Sequence, residues 1–223
     1  MISDSTDQKK KQSPKRNYQK ELERKLEAFA RGKRVPRLLL HSCCAPCSSY
    51  VLEYLSKYFS ITVFYYNPNI TQEEEYKRRA EEQERLICEM PAEHAVSFLE
   101  GRYEPERFFD AVQGLETVPE GGARCAKCFE LRLFEAARVC REGGYDFFTT
   151  TLTISPQKNA PLLNEVGERA AKAFGTTFLN SDFKKKNGYQ RSIELSAEYG
   201  LYRQDYCGCI YSREERERSR KGK

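Results

Sequence analysis

The sequence predicts an α/β fold: a Rossmann-like, doubly wound parallel sheet of about five strands, with helices on both faces. Three observations predict it. Short apolar or β-branched runs alternate with stretches of helical periodicity through most of the chain, the pattern of repeated strand–helix units. The first apolar run, Leu38, Leu39 and Leu40, passes directly into a turn, Cys43-Cys-Ala-Pro-Cys47, where a parallel strand hands over to a helix. The length, 223 residues, suits one domain with a full core.

Residues 1–16 are polar and basic and are expected to be a disordered tail. Residues 17–212 form the single α/β domain, and 213–223 a solvated tail of mixed charge. A helix over 18–31 places Tyr18, Leu22, Leu26 and Phe29 on one face. Strand one follows Pro36. The next helix is expected to start near Tyr50, capped by Ser48 or Ser49. Residues 60–66 are β-branched and aromatic and make strand two, closed by Asn67-Pro-Asn69. A charged helix over 73–90 precedes strand three at 95–99. A helix opening at Pro105 leads to a loop with two glycines, 119–124, and then to a helix that starts with Cys125-Ala-Lys-Cys128. Strand four is 145–151 and strand five is 176–179, with a helix between them. A lysine-rich loop, a helix over 190–199 and Cys207-Gly-Cys209 complete the domain.

No apolar run approaches the ~18 residues that span a membrane. The N-terminus lacks an apolar signal region, so a cytoplasmic location is the expectation. The formal charge of +5 permits a polyanionic partner without demanding one. No glycine-rich phosphate loop follows strand one, which disfavours nucleotide hydrolysis.

Nine cysteines are many for a chain expected in a reducing compartment, and the odd number argues against a closed disulfide framework. They fall in three clusters beside expected turns: Cys43, Cys44 and Cys47; Cys125 and Cys128; Cys207 and Cys209. The adjoining helix N-terminus is expected to lower thiol pKa values at the first cluster. Four thiolates from the first two clusters suit tetrahedral zinc or an iron–sulfur centre. Adjacent Cys43 and Cys44 do not make a zinc knuckle easily, so the spacing favours iron–sulfur. Cys207 and Cys209, one residue apart, can form a strained and easily reduced disulfide, or can act as further metal ligands. Cys88 and Cys140 read as buried, inert thiols. His41 reads as a packed strand histidine before it reads as a ligand, and His94 carries no role. Lys184, Lys185 and Lys186 with Phe183 and Tyr189 could hold phosphates and stack a base, though lysine runs are usually only solvated. Asp182 and Asp205 could bind a hard metal or move a proton.

These motifs together resemble the epoxyqueuosine reductase QueH family over about residues 17–212. The resemblance rests on Leu40-His-Ser-Cys-Cys-Ala-Pro-Cys47, Tyr65-Tyr-Asn-Pro-Asn69, Arg124-Cys-Ala-Lys-Cys128, Thr151-Leu-Thr-Ile-Ser-Pro156, Ser181-Asp-Phe-Lys-Lys-Lys-Asn-Gly-Tyr189 and Tyr202-Arg-Gln-Asp-Tyr-Cys-Gly-Cys209. It implies a fold of the HUP type with the cysteines at the C-terminal ends of the strands. It implies reduction of the epoxide of epoxyqueuosine at the tRNA wobble position, the last step of queuosine formation. It implies a [4Fe–4S] cluster on Cys43, Cys44, Cys125 and Cys128, an additional iron for which Cys47 is the candidate ligand, and a redox-active pair at Cys207 and Cys209. Asp205 joins these as a candidate catalytic group. Lys184, Lys185, Lys186, Arg78, Arg79 and Tyr189 are the candidate tRNA contacts, and an external electron donor is required. Two other functions compete: a zinc-stabilised RNA-binding protein without catalysis, and a cluster-free thiol–disulfide oxidoreductase.

Overall fold

In the computed structural model, residues 16–221 are described. The expected tail at 1–16 lies outside them except for Arg16, which pairs with Glu21 and Glu168. Four parallel strands, β1 (Arg37–His41), β2 (Ser60–Tyr65), β3 (Val96–Glu100) and β4 (Phe147–Thr150), stand in the order β3-β2-β1-β4. The helices are α1 (Tyr18–Ala30), α2 (Ala45–Leu55), α3 (Glu73–Glu89), α4 (Pro105–Val112), α5 (Ala123–Glu142), α6 (Ala160–Phe174), α7 (Gly188–Glu198) and α8 (Ile210–Lys221).

The pleat of β1 explains the two layers. Leu38 and Leu40 face a core built with Leu22 and Leu26 of α1, Val51 and Leu55 of α2 and Leu86 of α3. Leu39, between them, faces Ala136 and Cys140 of α5 and Ala170 of α6 across the sheet. Side chains alternate across a strand, so a continuous apolar run means burial on both faces. The chain travels from β1 outward through β2 to β3. It then returns through α4 and α5 to place β4 on the other side of β1. The reversal of direction lies between β1 and β4, and ligands of open α/β sheets bind at the C-terminal ends of strands beside such a point.

Three expectations are corrected. The sheet has four strands, not five. Residues 176–179 run beside β4 but make only one bridge, Phe148 to Phe178. The remaining pairing is taken by the Thr149 hydroxyl, which donates to the Leu179 carbonyl at 2.8 Å. The second helix begins at Ala45, capped by the extended Cys44 with Pro46 in its first turn. Proline is pre-organised for that position. Ser48 and Ser49 sit inside the helix, and their hydroxyls donate back to the Ala45 and Pro46 carbonyls at 3.0 Å. Residues 210–221 form α8 where only a solvated tail was read. Most of α8 is exposed, but Ser212 is buried and Glu215 pairs with Arg124 at 2.7 Å.

Candidate active site

The turn after β1 and the short 3-10 segment after β4, Thr151–Ile154, flank the topological switch point. The Cys43, Cys44 and Cys47 sulfurs all lie within 4.8 Å of one another. Cys43 and Cys44 are 3.7 Å apart. The first turn of α2 brings Cys47 back over the cap, so one element presents three thiols. The thiols do not ionise alike. Hydrogen bonds from the Cys44 and Cys47 thiols favour the Cys43 thiolate and hold its pKa well below the ordinary range. The same bonds, donated toward Cys43, push Cys44 up to about 12 and raise Cys47. The lowering expected of all three thiols is thus found at Cys43 alone, and there its main cause is the two thiol hydrogen bonds.

Cys125 and Cys128 occupy the first turns of α5, on the other side of the switch point. Cys43 and Cys125 rest on the same apolar cluster, which includes Phe129, Leu133 and Leu152. The Gly121 amide donates to Cys125 Sγ at 3.2 Å. Burial pushes the Cys128 thiol up to about 11 and raises that of Cys125. Cys207 and Cys209 lie on the loop before α8. No disulfide joins any of the nine cysteines, Cys207 and Cys209 included. Gly208 between them has φ +111°, and a side chain there would collide with Ile70. The Cys207 carbonyl accepts from Asn69 and Arg79, each at 3.4 Å.

Two adjoining cavities join these elements. One is lined by Cys125, Cys128, Cys207 and Cys209. The other, of about 180 Å³, is lined by Cys43, Cys47, Cys207, Tyr189 and Asp205. Cys207, Lys158 and Glu120 border both. All three cysteine clusters therefore surround one region except that Cys44 lies behind it.

Arginine 132 and Lys158 were not singled out from the sequence. Arg132 is wholly buried. It donates to Asn67 Oδ1 at 2.6 Å, faces the His41 ring at 3.3 Å and reaches Cys128 Sγ at 3.8 Å. None of the ion pairs among the described residues includes it. A buried cation without a carboxylate is costly unless another anion faces it, and the anions available here are thiolates. Lys158 is half-buried. Burial opposes its charge, but the surrounding Cys207, Cys43 and Cys47 thiols raise its pKa overall. A signal for Arg132 existed: it stands four residues after Cys128, on the face that carries Phe129, Leu133 and Ala136.

His41 is a packed histidine. Its ring nitrogens lie 2.9 Å from Thr150 Oγ1 and 3.1 Å from the Tyr66 carbonyl, and burial pushes its pKa down to about 3. Cys140 is buried, as expected, but Cys88 is exposed, because it falls on the outer face of α3. Asp205 is exposed and pairs with Arg220 of α8. Asp182 pairs with Lys184 at 2.9 Å. Tyr189 lines the larger cavity, and Lys184 and Lys185 line a neighbouring basic recess with Lys158. Lys186 pairs with Glu23, and Arg78 stacks on Tyr202 with 3.5 Å to the ring centre. Arg79 is not a surface cation: it is 1% exposed, pairs with Glu75 and forms part of the larger cavity wall.

Residues 38–215 match the epoxyqueuosine reductase QueH family. The chain belongs to that family. Relatives named epoxyqueuosine reductase QueH match it over most of their length. The protein from Staphylococcus epidermidis is 43% identical over 207 residues, covering 91% of this chain and 87% of its own. That from Streptococcus pyogenes is 44% identical, over 88% and 78% of the two chains. That from Thermotoga maritima is 34% identical, over 80% and 91%.

Proposed function

We propose that this member of the QueH family is an epoxyqueuosine reductase. It is an oxidoreductase that removes the epoxide oxygen of epoxyqueuosine at the tRNA wobble position and leaves queuosine, the last step of that biosynthesis. The observation that carries the reading is the meeting of a dithiol, Cys207 and Cys209, with the other thiol clusters around a cavity of nucleobase size.

The donor set fits an iron–sulfur centre better than zinc. Five thiols beyond the dithiol exceed what one tetrahedral zinc takes. Arg132 and Lys158, which are in no ion pair among the described residues and have thiols as neighbours, suit a centre of net negative charge. On this reading Cys43, Cys44, Cys125 and Cys128 hold a [4Fe–4S] cluster, and Cys47 is a ligand of an additional iron. Bound there, the cluster transfers single electrons and the iron supplies Lewis acidity.

The chain's own residues account for the rest. Opening the epoxide to the alkene and water consumes two electrons and two protons. Two thiols becoming one disulfide release two of each, so the dithiol balances the reaction. An external donor then reduces the disulfide. Gly208 lets the two cysteines turn inward without a side chain between them and Ile70. Tyr189 lines the larger cavity, and its exposed ring suits stacking on a splayed base. Lys184, Lys185 and Arg78 suit phosphates of the anticodon loop, whereas Arg79 acts from the cavity wall and Lys186 is held by Glu23. The expected setting is the cytoplasm, where tRNA is found; no helix among the described residues is long and apolar enough to cross a membrane.

The test is the double variant Cys207→Ser/Cys209→Ser, prepared without oxygen. Turnover of tRNA bearing epoxyqueuosine should vanish while iron and sulfide content stay at the native level. Full turnover in that variant would remove the dithiol from the reaction.

A further inference from the structure

The dithiol releases protons on one side of the reaction and the departing oxygen needs them on the other. Asp205, the acidic residue expected from sequence, is poorly suited to carry them, because its carboxylate is paired with Arg220. Glu120 is the carboxylate that borders both cavities, on either side of Cys207. It belongs to the glycine-bearing loop before α5, to which no role has been attached.

That loop is fixed in place. Wholly buried Arg124 donates to the Glu116 and Val118 carbonyls. The Glu120 amide donates to Glu215 of α8 at 3.1 Å. Beyond it, the Gly121 amide meets Cys125 Sγ. The Glu120 side chain then accepts from the hydroxyl of buried Ser212 at 3.0 Å. Ser212 in turn binds both arms of the dithiol segment. Its hydroxyl accepts from the Cys207 amide at 3.3 Å, and its own amide donates to Cys209 Sγ at 3.4 Å. One carboxylate is thus joined through one hydroxyl to the segment that carries both reducing thiols.

We propose that Glu120 is the proton-transfer residue of the site, with Ser212 as its positioning residue. The proposal rests on the reductase reading above. In the balanced step, Cys207 and Cys209 form a sulfur–sulfur bond, giving up two electrons and two protons. Both carbon–oxygen bonds of the epoxide break, the alkene forms, and the oxygen leaves as water with two protons. Glu120 takes the two protons released by the dithiol one after the other and delivers each to that oxygen, so the carboxylate ends the cycle in the state in which it began. Charged and titratable groups that line the same cavities as Glu120 include Arg124 and Cys125 from α5, Cys207 and Asp205 from the dithiol loop, Arg216 from α8 and Lys158 from the loop before α6, and Glu215 of α8 accepts from its amide.

The experiment uses full-length protein prepared without oxygen, reduced beforehand, in single turnovers with tRNA bearing epoxyqueuosine. Wild-type conversion in the same series tests the reductase reading separately. Given that conversion, Glu120→Gln keeps an acceptor for Ser212 and should slow the single turnover by about 100-fold or more, the usual scale of a lost general acid–base. Iron content and tRNA affinity should not change. Glu120→Ala should be equally slow, and added formate should restore rate in proportion to its concentration, which a purely structural role would not produce. Ser212→Ala should slow turnover less than Glu120→Gln, without rescue by formate. A Glu120→Gln variant as fast as wild type, or a Glu120→Ala variant that formate leaves unchanged, overturns the proposal.

Discussion

Replacing Arg132 by methionine removes a buried charge while keeping much of the buried volume. The guanidinium lies 3.8 Å from Cys128 Sγ. At an effective dielectric of ~20, a full thiolate charge at that distance is worth about 4 kcal/mol to the pair. Without an anion, the same cation is a burden of several kcal/mol on the fold. The two states of the site therefore respond in opposite ways. Protein stripped of metal should tolerate the change, with an unfolding free energy within about 1 kcal/mol of wild type, since the lost hydrogen bond to Asn67 is offset by relief of desolvation. On the proposed reading, protein loaded with an iron–sulfur centre should lose iron to a chelator more readily by roughly one to three powers of ten. The centre's midpoint potential should fall by on the order of 100 mV, because an added electron is no longer met by the cation. Anaerobic chelator titration, potentiometry and urea unfolding read the three quantities. Unchanged potential and iron retention, with a strongly destabilised stripped protein, would show that Arg132 serves packing alone.

Two further outcomes are expected. Asp146 accepts the Arg37 amide at 2.8 Å and pairs with Arg34; burial pushes its pKa up, but these partners outweigh burial and leave it below the ordinary value. Its contribution is therefore complete above the unfolded carboxyl's pKa of ~3.9 and is lost as pH falls through the lower folded value. Asp146→Asn should cost about 1–2 kcal/mol at pH 7, and urea series should show that deficit shrinking below pH 4; a deficit independent of pH down to 3 contradicts the ion pair. For the tRNA contacts, Lys184→Ala/Lys185→Ala should weaken binding and flatten the slope of log K against log salt by about 1.4–1.8 for two lost phosphates, and an unaltered slope places the phosphates elsewhere.

How far the fold was legible depended on which forces hold each segment. Leu38 to Leu40 announced a doubly buried strand because nothing but burial on both faces explains three consecutive leucines. The segment 176–179 has the composition of a strand, but the Thr149 hydroxyl takes a carbonyl that a longer ladder would use, and composition does not reveal such substitutions. Helix α8 was missed because only Ser212 is buried and its anchors are ionic; charged tails with and without a docking partner read alike. The start of α2 was displaced because Ser48 and Ser49 resemble caps, although Pro46 already marked a first turn. In the site, the grouping of the cysteines into three clusters was legible from spacing. Arg132, Lys158, Glu120 and Ser212 were not, since their significance lies in what approaches them from distant parts of the chain.

The cysteine turn hangs from β1, an interior strand with a neighbour on each side, whereas Gln204, Asp205 and Tyr206, which line the larger cavity with it, come from a loop beyond the sheet. An engineer can therefore treat the two as separable modules. That loop can be exchanged to admit a different oxidised nucleobase, and the thiol scaffold beneath would be inherited without redesign.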